Sequence, residues 1–567
     1  MKRTRGKKGR ISGRVIDQNS ITQLEKLIGS ESTKRDMLIE HLHKIQDNFH
    51  HISHRHIMAL AKIMNISMAA VYETATFYHH FDVINEKETP PPDITIRVCE
   101  SVTCEMFGAK KLISELKLAT DSNKVRIQPV PCVGRCASAP IAIAGTNPIE
   151  NAKTDAVITA LNKNQLIDTI PNDYINYTAY KKNGGYKTLI DCMNEKYKSD
   201  DIIKLLENSA LRGLGGAGFP TGQKWRILSE KNSPKMVAIN IDEGEPGTFK
   251  DRFYLETDPH RFIEGTLIAC WAINAEEIYI YLRDEYAGCR MLLEKELEKL
   301  KKTPPCKLPK IHLRRGAGAY ICGEESAMIE SIEGKPGMPR LRPPYVADVG
   351  LFGLPTLEQN METMHWVRDI IEKGPDWFSS NGRRDRKGLR SFSVSGRVKK
   401  PGVHIAPAGI SINELIDEYC KGMLKGHKFY GYYPGGASGG ILPASLGDEP
   451  LDFDTLQKHG CFIGSAAIIV LSDQDKVKGL ALNSMRFFEH ESCGQCTPCR
   501  VGTTKAIQLM EKEEWNKDLL EELSVAMCDA SICGLGQAAP NPVRCAIRYF
   551  PEEFKKWPPT QNKKMKQ

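Results

Sequence analysis

Apolar residues recur at helical spacing in two stretches near the amino end. In RDMLIEHLHKIQDNF, Leu38, Leu42 and Ile45 share one face, and SMAAVYETATFYHHF repeats the pattern behind Ser67, a good helix cap. This predicts a helical region over residues 15–88, closed by the hinge KETPPPD. Then ITIRVC reads as a strand, AKKLISELKL as a helix, and VRIQPVPC and PIAIAG as strands, a small α/β unit over 92–165. Residues 166–195 are polar and rich in Tyr and Asn, which predicts a connector. Helices and strands alternate around glycine-dense loops over 196–385, predicting a layered α/β domain. Short strands among Gly and Pro (SGRVKKPGVHIAPAGI, GYYPGGASGGILP) predict a β-rich module over 386–475, and 476–550 is again helical.

A chain of 567 residues exceeds one hydrophobic core, so this multidomain pattern fits its size. The absence of an apolar run of about 18 residues argues against a membrane span, and no apolar segment follows the basic start to make a secretory signal. The net charge of +8 comes from the ends. Seven Lys/Arg in residues 1–14 and five Lys in 554–567 stand without an acid, and removing these twelve leaves −4. Residues 1–14 and 551–567 therefore read as solvated basic tails, and no basic stripe with interleaved aromatics predicts nucleic-acid binding. Eight of the 15 histidines lie between His41 and His80. The adjacent pairs His50–His51 and His79–His80 would face different ways on a helix, which predicts surface or capping roles.

The 17 cysteines change the picture. An odd number in a chain without a secretory signal predicts a reducing, cytoplasmic setting and metal or redox chemistry. Cys493, Cys496 and Cys499 follow C-x2-C-x2-C, with Cys533 remote. A short loop can face three corners of a cubane while a distant residue takes the fourth, so this set predicts a [4Fe–4S] cluster over zinc. Arg500 beside it could offset cluster charge or be solvated. Cys99 and Cys104, with Cys132 and Cys136, come as two pairs after two strands, a pattern that suits a [2Fe–2S] rhomb or a structural zinc ion. The other nine cysteines are scattered and read as small buried hydrophobes.

Two further segments carry polar chemistry. LRGLGGAGFPTGQKW contains Gly213, Gly215, Gly216 and Gly218 ahead of Lys224, a backbone free to approach a phosphate or ring closely, or else a tight turn. It follows no hydrophobic strand, so it is not a dinucleotide-fold turn. After the apolar strand MVAINI comes NIDEGEPGTFKDR, with Asn240, Asp242, Glu243 and Glu245. These carboxylates suit ribose or ribityl hydroxyls, with a divalent cation as the rival. GAGAYICGEE and RLRPPY add a second glycine loop and cations beside Tyr345.

The order of these motifs, from C-x4-C…C-x3-C through GLGGAGFPTGQKW, NIDEGEPGTFKDR, YLRDEY and GAGAYICGEE to ESCGQCTPCR, resembles the NADH-oxidising flavoprotein module of respiratory complex I, with its small and large components fused. The wording RLRPPYVADVGLFGLPTLEQNMET and GYYPGGASGGILP is most similar to the beta (diaphorase) subunits of soluble, molybdenum-dependent, NAD-linked formate dehydrogenases. The chain departs from the complex I pattern at Leu214, Asp284, Gln359 and Arg342, which points away from a respiratory role.

The resemblance implies a multidomain α/β and α+β fold. It would hold an N-terminal helical bundle, a thioredoxin-like [2Fe–2S] domain, an FMN-binding α/β domain, a ubiquitin-like (SLBB) module and a C-terminal helical bundle with the [4Fe–4S] cluster. It implies FMN held by Gly213, Gly215, Gly216, Gly218, Lys224, Asn240, Asp242 and Asn360, and NAD(H) lined by Phe219, Glu245 and Tyr345. The implied activity is hydride exchange between NAD(H) and FMN with single electrons passed to the clusters. The implied partner is a large iron–sulfur/molybdenum subunit, or the equivalent subunits of complex I or an NAD-reducing hydrogenase. A zinc-stabilised scaffold is the reading outside this class.

Overall fold

The amino-terminal apolar spacing builds four helices, Gln18–Ile28, Leu38–Phe49, His54–Ile63 and Met68–Phe77. The side chains of Asp17, Ser53 and Ser67 cap three of them by accepting backbone N–H bonds. Leu24, Leu42, Ile45, Leu60 and Val71 form the core, beside a two-residue parallel pair, β1 (Ile52–Ser53) and β2 (Val83–Ile84). His50 closes its helix in a left-handed conformation, as a capping residue would. His41 and His43 are buried instead; His41 Nε2 lies 2.9 Å from the Ser32 carbonyl, and His43 packs edge-on against Phe81.

The computed structural model describes residues 17–85, 87–232 and 234–554; the tail at 1–14 and most of that at 551–567 lie outside them. The helices above form one body with the segment Glu333–Pro336, and the elements below belong to a second. Among the described residues, no helix is long and apolar enough to cross a membrane.

The second body begins with β3 (Ile94–Cys99), β4 (Val125–Val130), β5 (Ala142–Ala144) and β6 (Asn147–Ile149), in the order β4-β3-β5-β6. Ile96, Val98, Ala142 and Ala144 face Leu112 and Leu116 of helix Ala109–Ala119 and Val157 of helix Thr154–Asn162. The next sheet is wholly parallel: β7 (Met236–Ile241), β8 (Glu277–Leu282), β9 (Lys310–Arg315) and β10 (Thr356–Asn360), ordered β10-β7-β8-β9. MVAINI is almost continuously apolar because a central parallel strand is covered on both faces. The third sheet is mixed. Its strands are β11 (Leu389–Gly396), β12 (Gly402–Pro407), β13 (Phe429–Tyr433), β14 (Leu442–Pro443) and β15 (Ala467–Ser472). They run β12-β11-β15-β13-β14, with β11 and β15 parallel. Helices Val477–His490, Thr497–Met510, Lys517–Ala530, Gly534–Ala538 and Asn541–Tyr549 follow. The first sheet's domain docks on the third: Thr103 Oγ1 meets Ser395 Oγ at 3.1 Å, and Arg397 donates to the Met106 carbonyl at 2.8 Å.

Two expectations need correction. Residues 166–195 are not a loose connector, for they fold into helices Tyr177–Lys182 and Lys187–Met193 against the parallel-sheet domain. Tyr180 Oη donates to Glu264 at 2.6 Å, Tyr186 Oη meets His260 Nδ1 at 2.7 Å, and both rings are buried. The tyrosines that looked polar are hydrogen-bonded core residues. Of the nine scattered cysteines, Cys306 and Cys528 are partly exposed, and Cys461 and Cys545 form a buried contact 3.4 Å apart between the mixed sheet's module and helix Asn541–Tyr549.

Candidate functional site

The parallel sheet delivers polar residues to its carboxyl edge, the ligand-binding edge of open α/β sheets. Asn240, next to last in β7, pairs directly with Asn360 at the end of β10. Asn360 also caps helix Met361–Lys373, accepting from the Glu362 N–H at 3.1 Å, and on that helix Thr363 accepts a bond from the Leu214 N–H at 2.9 Å. That bond moors the glycine loop over the sheet edge. The loop runs between helices Ser199–Ser209 and Thr221–Ser229 and is closed by Gly213 N–H to the Phe219 carbonyl at 2.8 Å. A Cβ on Gly215 would sit 3.0 Å from that of Asn360, and Gly218, at φ +68°, would drive one into the Phe453 ring at 2.6 Å. Glycine is needed at both for different reasons: one keeps the gap open and the other lets the loop turn against its neighbour.

Polar groups converge beneath this loop. Lys224 Nζ lies 3.1 Å from Glu358 and 3.5 Å from Glu325; burial opposes its charge, yet the two carboxylates keep its pKa above the ordinary range. Asn240 Nδ2 donates to the Gly323 carbonyl at 2.9 Å and to Glu358 at 3.1 Å. Asp242 Oδ2 is fully buried against Gly323 and has no hydrogen-bond partner among the described residues. Burial pushes its carboxyl pKa well up. An orphaned buried carboxylate oxygen beside a Cβ-free cradle and a cation fits a hydroxyl-bearing phosphate ligand such as FMN.

The acids of NIDEGEPGTFKDR divide their work. Glu243 is structural, accepting from the Asp251 N–H at 2.7 Å, the Arg252 N–H at 3.2 Å and Tyr286 Oη at 2.7 Å. Lys250 is buried in an ion pair with Asp251 at 2.9 Å and Glu362 at 3.0 Å, and reaches Asn360 Oδ1 at 3.2 Å. Glu245 is half-buried and accepts from the Ser438 N–H at 2.8 Å and from Tyr320 Oη at 2.5 Å. Burial, reinforced by the nearby Cys132, pushes its pKa up to about 7. Phe219 and Tyr345 are large rings that are 45% and 54% exposed. Arg342 pairs with Glu324 and, at 3.0 Å, with Glu325, which joins the Tyr345 segment to Lys224.

The first cysteine set lies on the far side of the same loop. Cys99, Cys104, Cys132 and Cys136 are all buried; Cys132 and Cys136 are 3.3 Å apart, and Cys99 contacts Cys104 and Cys132. Hydrogen bonds from Cys136 and Cys99, with the Arg283 charge, hold the Cys132 thiol below its ordinary range, while Cys99 and Cys136 are pushed up. Arg283 also donates to the Cys132 carbonyl at 2.7 Å, and Arg252 to the Gly134 carbonyl at 3.0 Å. Gly134 has φ +70°, and a Cβ there would fall 2.1 Å from Tyr286 Oη.

The second set is more open. Cys493, Cys496 and Cys533 are partly exposed and Cys499 is buried. Cys496 and Cys533 begin helices Thr497–Met510 and Gly534–Ala538, and the Leu535 and Gly536 N–H groups point at Cys533. Such donors stabilise a thiolate. Arg500 is exposed and bonds the Gly494 carbonyl, so its visible role is to shape the loop. Tyr320 bridges the regions: its N–H donates to Glu491 at 2.8 Å, its hydroxyl holds Glu245, and it feels the charge of Cys533. Each set supplies four free thiols, the donor chemistry that suits an iron–sulfur cluster.

Reasoning from motifs missed Glu358, Arg283 and Tyr286. Glu358 and Asn360 share a strand face through their i, i+2 spacing, which was a readable signal. Arg283 and Tyr286 lie in YLRDEY, a motif noted in the chain without a role for either residue.

Comparison with known proteins places the chain in a family. Residues 24–165 match the thioredoxin-like [2Fe–2S] ferredoxin family, 206–369 the Nuo51 FMN-binding domain, and 479–557 the NADH-ubiquinone oxidoreductase-F iron–sulfur binding region. An NADH-quinone oxidoreductase component of Rhizobium meliloti is 40% identical over 401 residues, 68% of this chain and 94% of that protein. NADH dehydrogenase [ubiquinone] flavoprotein 1 of Dictyostelium discoideum is 41% identical over 374 residues, 63% of this chain and 78% of that protein. A chain of an NAD+-reducing [NiFe]-hydrogenase in the H2-reduced state superposes with a TM-score of 0.81 at 30% identity, covering 92% of this chain and 93% of that one. The chain belongs to the family of NADH-oxidising flavoproteins of the complex I 51 kDa type, with FMN, [2Fe–2S] and [4Fe–4S] cofactors.

Proposed function

We propose that the chain is the NAD(H)-linked diaphorase subunit of a cytoplasmic NAD-dependent formate dehydrogenase, exchanging a hydride with NAD(H) and relaying single electrons through its two clusters. The carrying observation is Glu245, which feels Cys132 and is joined through Tyr320 to the Cys533 site, on the acidic segment that follows β7, the strand that also brings Asn240 beside Asn360. FMN bound there supplies the hydride chemistry and the change from electron pairs to single electrons.

The chain's own residues bind, orient and exclude water. Gly213, Gly215, Gly216 and Gly218 give close backbone approach, Lys224 supplies a cation, and Asn240, Asp242 and Asn360 present amides and a carboxylate to the flavin. Phe219 and Tyr345 offer faces to the nicotinamide nucleotide, and Glu245 offers an acceptor for ribose hydroxyls. Cys99, Cys104, Cys132 and Cys136 are assigned to the [2Fe–2S] cluster, and Cys493, Cys496, Cys499 and Cys533 to the [4Fe–4S] cluster. The domains follow the boundaries inferred above, with 166–195 as a packed extension of the FMN domain. The sheet order β12-β11-β15-β13-β14 supports the ubiquitin-like (SLBB) assignment of 386–475.

The formate dehydrogenase context rests on the motif wording around residues 341–363 and 431–443. A second reading, the equivalent subunit of an NAD-reducing hydrogenase, is favoured by the nearly full-length structural match to such a chain. Purification of the native complex decides between them: molybdenum and formate-dependent NAD+ reduction support the first, nickel and hydrogen-dependent reduction the second. A colourless, zinc-containing protein without flavin would overturn both.

A further inference from the structure

Beside the start of the glycine loop lies a cavity of about 200 Å3 whose lining includes none of the residues assigned to FMN. One wall is the start of that loop, residues 211–214, and the other is the segment leading into β11. Four cations line it, Arg212, Arg386, Lys387 and Arg390, against two carboxylates, Asp385 and Asp452. Asp452 is shared: Arg386 Nε reaches one oxygen at 2.6 Å and Arg390 Nε the other at 2.8 Å. Arg390 is only 5% exposed and stacks 3.8 Å from the Phe453 ring centre, while Arg212 lies over the same ring at 4.6 Å. Burial depresses the Arg390 pKa, and the Arg212 charge works in the same direction. Lys387 is exposed and has no ion-pair partner among the described residues. Arg384 and Asp385, at the lip, are successive non-glycine residues with φ of +54° and +58°. Left-handed backbone at two side-chain-bearing residues in a row is strained and gathers at ligand sites.

We propose that this cavity is a second anion site, taking a small phosphate, free or as a monoester, as an effector. Clustered guanidinium groups in a partly dehydrated pocket, with Lys387 as the cation left unpaired among the described residues, are the chemistry that recognises tetrahedral oxyanions. The site communicates with the flavin loop through Arg212, whose Nε holds the Gly218 carbonyl at 2.5 Å and whose Nη1 pairs with Asp454 at 2.5 Å. An oxyanion in the cavity competes for that guanidinium and changes how firmly it grips the loop. This coupling rests on the FMN assignment above; the binding itself does not.

The test is calorimetric titration of the flavin-saturated native complex with inorganic phosphate, with glycerol phosphate and with chloride at matched ionic strength, followed by flavin release rates. Saturable phosphate binding is expected, unmatched by chloride, with Kd raised at least about fivefold in Lys387→Gln through loss of one charged contact, and further in Arg386→Gln. Tighter glycerol phosphate than phosphate identifies a monoester ligand, and the reverse identifies the free ion. Absence of saturable heat, or an unchanged Kd in Lys387→Gln, overturns the site. Binding that leaves flavin release unaltered overturns the coupling through Arg212 alone.

Discussion

The two cysteine sites solve one problem in opposite ways. The first is sealed: its four thiols are buried, and the parallel-sheet domain closes it with Arg283, Arg252 and Tyr286. The second is locally built, with thiols at helix starts and three of the four partly exposed. A site of two pairs that follow separate strands has no single short loop to organise it, so it depends on a neighbouring domain. A C-x2-C-x2-C loop carries most of its geometry with it. Glu245 is linked to both, feeling Cys132 directly and reaching Cys533 through Tyr320.

The largest effect expected is loss of a cluster. Cys132→Ser abolishes the [2Fe–2S] electron paramagnetic resonance signal and leaves the [4Fe–4S] signal, and Cys496→Ser does the converse, while NADH-driven dye reduction largely survives Cys132→Ser. One mutation erasing both signals in a folded protein breaks the contrast between the sites. Zinc in place of the low-iron cluster in the unmutated protein would falsify the first assignment.

Lys224→Ala with Asp242→Ala comes next. The pair removes the cation and the orphaned carboxylate of the glycine-loop pocket, so flavin content falls severalfold or more, while both cluster signals stay because neither residue touches a thiol. Stoichiometric flavin by absorbance overturns the pocket.

Glu245→Ala probes the junction. Losing a charge-assisted acceptor costs about 1.5–3 kcal/mol, about ten- to a hundredfold in the apparent KM for NADH, with weaker discrimination against NADPH. Flavin content is unchanged. Steady-state kinetics with both nucleotides check this, and unaltered NADH kinetics mean that the nucleotide site is elsewhere.

A glycine pair tests the sealed-versus-local contrast directly. Gly134→Ala places a Cβ at 2.1 Å from Tyr286 Oη in left-handed backbone, so thermal unfolding reports a loss of about 1–3 kcal/mol and weakened [2Fe–2S] retention. Gly494→Ala has φ +76° but meets only Arg500 Cδ at 3.9 Å, so its cost stays near 1 kcal/mol. Equal costs remove the distinction.

The smallest effect is in pH. The Glu245 pKa is raised to about 7, so its carboxylate is lost as pH falls through 7 and the apparent KM for NADH rises between pH 8 and 6. In Glu245→Gln that trend flattens. The raised value also means that the folded state holds this proton more tightly than the unfolded chain. Its contribution to stability therefore declines as pH rises from the ordinary carboxylate range to about 7.

Much of this was legible in the chain. The C-x2-C-x2-C spacing points to a [4Fe–4S] cluster because ligand count per short loop is a local property, while the two-pair set by itself left [2Fe–2S] and zinc open; the glycines betray a close backbone approach because only they lack a Cβ. Apolar runs placed β3 and β7, and Ser67 announced its helix. Tertiary structure alone decided the rest. Asp242, Glu243 and Glu245 look alike in sequence, yet one keeps an orphaned oxygen, one braces the loop beside Cys132, and one sits at the junction. Asn240 and Asn360 lie 120 positions apart and become neighbours only through parallel register. Tyr180 and Tyr186 read as polar linker residues until buried Glu264 and His260 satisfied their hydroxyls. Local patterns report what a segment can form; which polar atom is left unpaired depends on partners hundreds of residues away, and burial sets its chemistry.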